Sequence, residues 1–329
     1  MKFLIAGLGS IGRRHLRNLV ALGESDILLY RTHRSTLPND ELVSFPVHTD
    51  LGAALKSQPE AVIISNPTAL HLGVALPAAE AGCHLLLEKP ISDMLDERVS
   101  ALKDIVSRTG IEVLVGFQFR FHPVLAQIKG LLTTEVIGRP LSFRVHWGEY
   151  LPGWHPWEDY RQGYAARKAL GGGVVNTLSH PLDYVRWLFG DVHAISAVTG
   201  KLSRLELNVE DVAEITLRME NGCMGSIHLD YFQRPPAHWL EITCEQGHIR
   251  WDNNTGSAKI YHIVQDDWEN INPPIGFERN DLFLAEMQAF IKRIQGKSRS
   301  GCSLQDGIKV LELTEAVHAS ARQGCTIYL

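Results

Sequence analysis

The most constraining feature of this chain lies at its start. The apolar run of residues 3–6 passes directly into the turn Gly7-Leu8-Gly9-Ser10-Ile11-Gly12, after which residues 13–22 carry helical periodicity. A lone G-x-G-x-x-G is a weak signal, since many glycine turns bind nothing. Flanked by a buried strand and a helix, it becomes specific, because backbone N–H groups and the positive helix end then converge where a pyrophosphate can sit. A cofactor-binding role is expected for Gly7, Gly9, Ser10, Ile11 and Gly12. Further strands are expected at residues 26–30, 61–65, 83–87 and 112–115, each preceded by a helical stretch, which predicts a doubly wound α/β domain with a parallel sheet.

Beyond His122 the pattern changes to closely spaced amphipathic runs at residues 141–147, 212–219, 223–231 and 239–244. Asn221-Gly222 between two of them predicts a tight antiparallel hairpin. The expectation is an N-terminal Rossmann-type domain over residues 1–119 and a C-terminal α+β domain over 120–302 with a mainly antiparallel sheet. Helical periodicity over 304–321 brings residues 303–329 back onto the first domain. A length of 329 residues suits two such units.

A net charge of -5 provides no positive field for nucleic acid or an anionic membrane. No apolar stretch approaches the roughly 18 residues of a spanning helix, and residues 3–8 are too short for a signal sequence. The five cysteines are scattered and never form C-x-x-C, which fits a reducing cytoplasm. A soluble cytoplasmic chain is expected.

Cofactor choice is read at the end of the second strand, where an acid about 20 positions after the glycines would bind a ribose 2'-hydroxyl. The sequence there is Tyr30-Arg31-Thr32-His33-Arg34-Ser35, with no acid and two guanidinium groups. Arg31, Thr32 and Arg34 suit a 2'-phosphate, so NADP(H) is preferred, with NAD(H) the other possibility.

Glu88-Lys89-Pro90 follows the strand at 83–87, at an end that faces the ligand crevice in folds of this type. With the glycine turn, Asn66-Pro67-Thr68 and His71, it resembles the family of glucose-fructose oxidoreductase, inositol dehydrogenase and rhizopine-catabolism (Gfo/Idh/MocA) proteins. The resemblance implies that Asn66, Pro67, Thr68, His71, Glu88 and Lys89 surround the nicotinamide cofactor, that Lys89 reaches the reacting oxygen and that Pro90 is cis. An ammonium there stabilises charge developing on that oxygen.

A second segment, Gly171-Gly172-Gly173 leading into a helix ending near Leu188, spaces Asn176, His180 and Asp183 at i, i+4 and i+7, which presents all three on one helix face to a substrate cleft. It is similar to the family's second signature, which implies that His180 contacts substrate and shuttles the proton. The family frequently has Asp four residues before this histidine, whereas Asn176 stands here, so a carboxylate partner is missing and Lys89 or Tyr160 are rival proton carriers. Between the signatures, Trp147, Trp154, Trp157, Tyr160 and Tyr164 form an aromatic, polar loop suited to sugar rings, or to packing between domains. Arg167 and Lys168 suit a substrate carboxylate or phosphate. No histidine has the spacing of a metal motif, so no metal is expected.

The resulting expectation is an NADP-dependent oxidoreductase acting on a secondary alcohol or ketone of a sugar-like small molecule. The assembly expected is a homodimer or homotetramer formed through the second sheet. The alternatives are a cofactor- or sugar-sensing regulator on the same fold, or an oxidoreductase of a non-sugar carbonyl or dihydrodiol.

Overall fold

The computed structural model describes residues 1–32 and 37–329. Contacts divide the chain into two units, one of Met1–Gln118, Ala169–Gly171 and Glu278–Leu311, the other of Phe119–Lys168, Gly172–Phe277 and Glu312–Leu329.

The first unit alternates strand and helix: β1 Phe3–Ala6, α1 Ser10–Ala21, β2 Ile27–Tyr30, β3 Val47–His48, α2 Leu51–Lys56, β4 Ala61–Ile64, α3 His71–Glu80, β5 His84–Leu87, α4 Glu97–Thr109 and β6 Val113–Val115. β1 and β4 are buried along their whole length, as expected of parallel strands covered on both faces. Their apolar runs therefore show no alternation. With a short late strand, β15 (Cys302–Ser303), the sheet order is β15-β6-β5-β4-β1-β2-β3, parallel except where β15 joins β6.

β1 lies between β4 and β2, where winding reverses, and its last residue Ala6 is paired with both Tyr30 and Ile64, while Ile64 is paired with Leu87. These four strands end together, so the segments beginning at Gly7, Arg31, Ser65 and Glu88 leave from one edge. In folds of this kind that edge is where ligands bind.

The second unit holds α5 Pro123–Thr133, β7 Pro140–Gly148, α6 Val174–Thr177, α7 His180–Phe189, β8 Val192–Gly200, β9 Val212–Met219, β10 Met224–Asp230, β11 Ala237–Cys244, β12 Gly247–Asp252, β13 Ser257–His262 and β14 Asp267–Ile271. After it come α8 Arg279–Ile294, β15, α9 Leu304–Gln323 and β16 Ile327–Tyr328. The nine-stranded sheet has the order β14-β13-β12-β11-β7-β10-β9-β8-β16, antiparallel except for the pair β10 and β7. Burial alternates along β9 and β11, with Ile215, Leu217, Leu240 and Ile242 on the core face.

The fold class is the expected one, with two differences of detail. Gly222 alone takes a positive φ, +85°, in the β9–β10 turn, while the Asn221 side chain accepts the Cys223 N–H. The returning segment is shared, since α9 passes from the first unit to the second after Leu311 and Ile327–Tyr328 joins β8, where the sequence assigns all of 303–329 to the first domain. Among the described residues, no helix is long and apolar enough to cross a membrane.

Candidate active site

The glycine turn is shaped by close approach. Gly7 has φ +95°, and a Cβ there would lie 2.5 Å from the Asn66 backbone nitrogen; a Cβ at Gly12 would meet the Gly7 carbonyl oxygen. Among the described residues, a Cβ at Gly9 would meet nothing within 4 Å. Gly9 is also the N-cap of α1, with no side chain capping it and no acid in the first turn. Two glycines thus let β1, α1 and the segment after β4 close together, and the third leaves space in front of uncapped helical N–H groups. That space and charge fit a dinucleotide pyrophosphate.

Arg31, 8% exposed at the end of β2, donates from Nη1 to Asn39 Oδ1 at 2.7 Å, while its buried Nε has no hydrogen-bond partner among the described residues. Thr32 is exposed beside it, and Arg34 lies outside the described residues. Arg13, which the sequence reading passed over, is buried and bonded to the Leu8 and Leu37 carbonyls and to Glu41.

Beyond β4, Asn66 Nδ2 donates to the Leu70 carbonyl at 3.1 Å and its Oδ1 is buried without a partner; Thr68 is 3% exposed. His71 is 1% exposed, with Nδ1 and Nε2 each 2.9 Å from a carbonyl oxygen, those of Pro90 and Asn66. Burial pushes its pKa down against these acceptors. His71 therefore ties the loop of Asn66 to the loop of Pro90.

Glu88 is buried, with Oε1 2.7 Å from His15 Nε2 on α1, and Gly116 leaves room for it, since a Cβ there would lie 2.9 Å from Oε2. Lys89 follows immediately. Desolvation lowers its pKa to about 8, with the Glu88 carboxylate pulling the other way. The Lys89–Pro90 peptide is cis.

In the second unit the expected continuous helix is broken: α6 ends at Thr177 and α7 begins at His180, so Asn176, His180 and Asp183 do not form one helical face. The break falls where Pro181 has no N–H to offer the Thr177 carbonyl, while α6 itself starts after Gly173, φ +110°, which lies against Glu210, whose Oε1 accepts the Val175 N–H at 3.2 Å. Burial raises the Glu210 pKa. Sequence reasoning missed this carboxylate, because it is remote in the chain and carries no motif.

Asp183 is 1% exposed and held bidentately by Arg120, with Nη2 to Oδ1 at 2.7 Å and Nε to Oδ2 at 3.0 Å. That pair ties α7 to the segment before α5. His180 sits at the start of α7, with its ring 5.2 Å from Phe119 edge-on and 5.7 Å from Trp147, which in turn stacks on His238 at 4.1 Å. Asn176 is 7% exposed.

In the aromatic loop, the Tyr160 hydroxyl accepts the Glu206 N–H at 3.0 Å, and Trp154 packs on Tyr231. Arg167 and Lys168 are exposed. Gly171, φ +80°, lies in the first unit, where a Cβ would come within 2.9 Å of the Thr68 side chain.

Comparison with known proteins agrees with both halves. Residues 1–117 match the oxidoreductase family NAD-binding Rossmann fold, and 129–329 match the C-terminal alpha/beta domain of the same family. An uncharacterized oxidoreductase of Synechocystis is 30% identical, with 80% of this chain and 79% of that protein covered. Inositol 2-dehydrogenase 2 of Paenarthrobacter aurescens is 26% identical over 95% of this chain and 93% of its own length. Levoglucosan dehydrogenase, solved in complex with NADH, superposes with TM-score 0.88 at 21% identity, covering 100% of this chain and 98% of the other, and so shares the fold. With a nicotinamide-type turn, a Glu-Lys-Pro strand end and both domains matched over nearly its whole length, this chain belongs to the Gfo/Idh/MocA family of nicotinamide-dependent oxidoreductases.

Proposed function

We propose that the protein oxidises or reduces a secondary alcohol or ketone of a sugar, sugar acid or nucleotide-sugar-like substrate, using NADP(H) in preference to NAD(H). The observation that carries this reading is Lys89, a lysine brought to a pKa of about 8 at the strand edge that also carries the glycine turn. The relatives named inositol and levoglucosan dehydrogenase support the substrate class.

The nicotinamide, when bound, supplies the two-electron donor or acceptor. Gly9 and the α1 N-terminus hold its pyrophosphate, with Ser10 and Ile11 in the same turn and with Asn66, Pro67 and Thr68 bordering it. Neutral Lys89 accepts the hydroxyl proton in oxidation; as the ammonium it returns that proton in reduction and stabilises the oxygen as charge develops. Glu88, fixed by His15, keeps Lys89 from losing its proton entirely near neutrality. His180 orients the substrate hydroxyl beside Asn176, and with no carboxylate at Asn176 the proton passes through Lys89. Tyr160, whose hydroxyl is engaged by the Glu206 N–H, serves as a loop support. Exposed Arg167 and Lys168 are placed to take an acidic group of the substrate.

The cofactor preference rests on the absence of an acid after β2 and on Arg31, which retains an Nε unpartnered among the described residues. Fluorescence titration of nucleotide-free protein tests it: NADPH binds about tenfold or more tightly than NADH, and Arg31→Ala narrows the gap. Equal or tighter NADH binding removes the preference while leaving the oxidoreductase reading intact. The same proposal places a second copy on the open face of the nine-stranded sheet, where Val198, Met224 and Trp268 are exposed. A monomer by light scattering at assay concentration contradicts that assembly.

A further inference from the structure

Strand register gathers ligating side chains that are far apart in sequence. His228 and Asp230 stand two apart on β10, so both leave the same face of the sheet. His146 on β7 is the direct partner of His228, and Gly148 is the direct partner of Asp230. The missing side chain matters, because a Cβ at Gly148 would meet Asp230 Oδ2 and Gln233 Oε1. Into that corner point His146 Nε2, 2.5 Å from Gln233 Oε1, and His228 Nε2, 2.9 Å from Asp230 Oδ2. The ligand atoms of His146, His228 and Asp230 lie within 4.8 Å of one another.

The surroundings hold these atoms in place. His228 Nδ1 lies 2.5 Å from Glu214 Oε1, on the next strand. Asp230 Oδ1 accepts the Phe232 and Gln233 N–H groups at 2.8 and 2.7 Å, which leaves Oδ2 to the cluster. The His146 ring is stacked between His228, at 4.5 Å, and Trp239 from β11, at 5.4 Å. A histidine with one nitrogen on a carboxylate and the other in a cluster of donors has the arrangement seen around protein-bound metals, where the outer carboxylate fixes ring and tautomer.

We propose that His146, His228 and Asp230, with Gln233 Oε1 or water as fourth ligand, bind a divalent transition-metal ion of the zinc class. Two imidazoles and a carboxylate are the donor set such ions prefer, and neither a thiolate nor a crowd of oxygens is present to favour a softer or harder one. On binding, the ion takes the place of the proton shared by His228 Nε2 and Asp230 Oδ2, and that proton leaves to solvent. The site lies in the second unit and is independent of the redox reading. It clasps β7 to β10, the sheet's single parallel pair among the described strands, where pairing is intrinsically weaker. Spacing searches miss it because His146 is remote and H-x-D is not a recognised metal motif.

Calorimetric titration of chelator-treated full-length protein with zinc chloride, beside His146→Gln and Glu214→Gln, tests the proposal. The expected result is a single equivalent per chain, with affinity lowered by more than about 100-fold in His146→Gln and by about 10- to 100-fold in Glu214→Gln. Cobalt substituted into the wild type should show a ligand-field spectrum of nitrogen and oxygen ligands without a thiolate charge-transfer band. No zinc uptake by the wild type overturns the proposal. So does uptake undiminished in His146→Gln, which would put the ion elsewhere, for example at the buried group of His15, Glu88 and Glu286. Should His146→Gln fail to fold, Glu214→Gln decides, since its side chain is 62% exposed in the single chain, on the same sheet face as Val198, and unchanged affinity there is equally fatal.

Discussion

Three glycines in one turn carry different duties, and single substitutions separate them. Gly9→Ala adds a methyl where no atom of the described residues lies within 4 Å, at φ -73°, so the protein should melt as the wild type does and lose nucleotide affinity as the methyl enters the phosphate space. Gly12→Ala drives a methyl into the Gly7 carbonyl and should lower stability by about 1–3 kcal/mol or more. Thermal melts with and without NADPH check both; a Gly9→Ala protein with unaltered affinity would show that the turn does not face the cofactor. The proposed role of Lys89 predicts a pH dependence. Its pKa of about 8 means that the base form grows as pH rises through 8, so kcat/KM for alcohol oxidation should climb to a plateau above that value while carbonyl reduction falls over the same interval. Profiles flat across pH 7–9 in both directions would remove Lys89 as the proton carrier.

At the scale of elements, caps and ion pairs fix where helices start, and here the sequence was only partly legible. The first strands and α1 were readable because parallel strands announce themselves as uninterrupted apolar runs before glycine turns. The break between α6 and α7 was overlooked although Pro181, which has no N–H to give the Thr177 carbonyl, marks it, and Glu210, which caps the start of α6 from more than thirty residues away, left no local signal at all. Nor was Arg120 holding Asp183 foreseeable from spacing, because i, i+4, i+7 arguments presume one continuous helix. His122 caps α5 by accepting the Val124 and Leu125 N–H groups at 3.2 and 3.4 Å, which requires a neutral ring. Burial lowers its pKa to about 4, against about 6.5 in an unfolded chain. The unfolded state therefore binds the extra proton between these values, and stability should decline by up to about 3 kcal/mol as pH falls from 6.5 to 4. Urea melts of His122→Asn, which keeps a capping acceptor that does not titrate, should show a shallower decline; an identical slope would assign the acid sensitivity to other groups.

For the molecule as a whole, periodicity and motifs identified the class of both units, while the details that needed register or distant contacts came only from the structure. Short strands such as β3, β15 and β16 have too few residues to show a period. His15 beneath Glu88 and the His146, His228 and Asp230 corner are products of topology, invisible to any linear spacing. Of the residues quoted from family resemblance, His71 and Asp183 are held by contacts inside their own units, and Lys89 is the group on which the proposed turnover rests. The most direct test is steady-state turnover of a panel of polyols, aldoses and sugar acids with NADP+ and NAD+, wild type beside Lys89→Ala. The expected result is reduction of nicotinamide with at least one such alcohol, and a loss of about 10²- to 10⁴-fold in kcat/KM in the variant with nucleotide binding retained. Tight nucleotide binding without turnover of any alcohol, or turnover undiminished by Lys89→Ala, would contradict it.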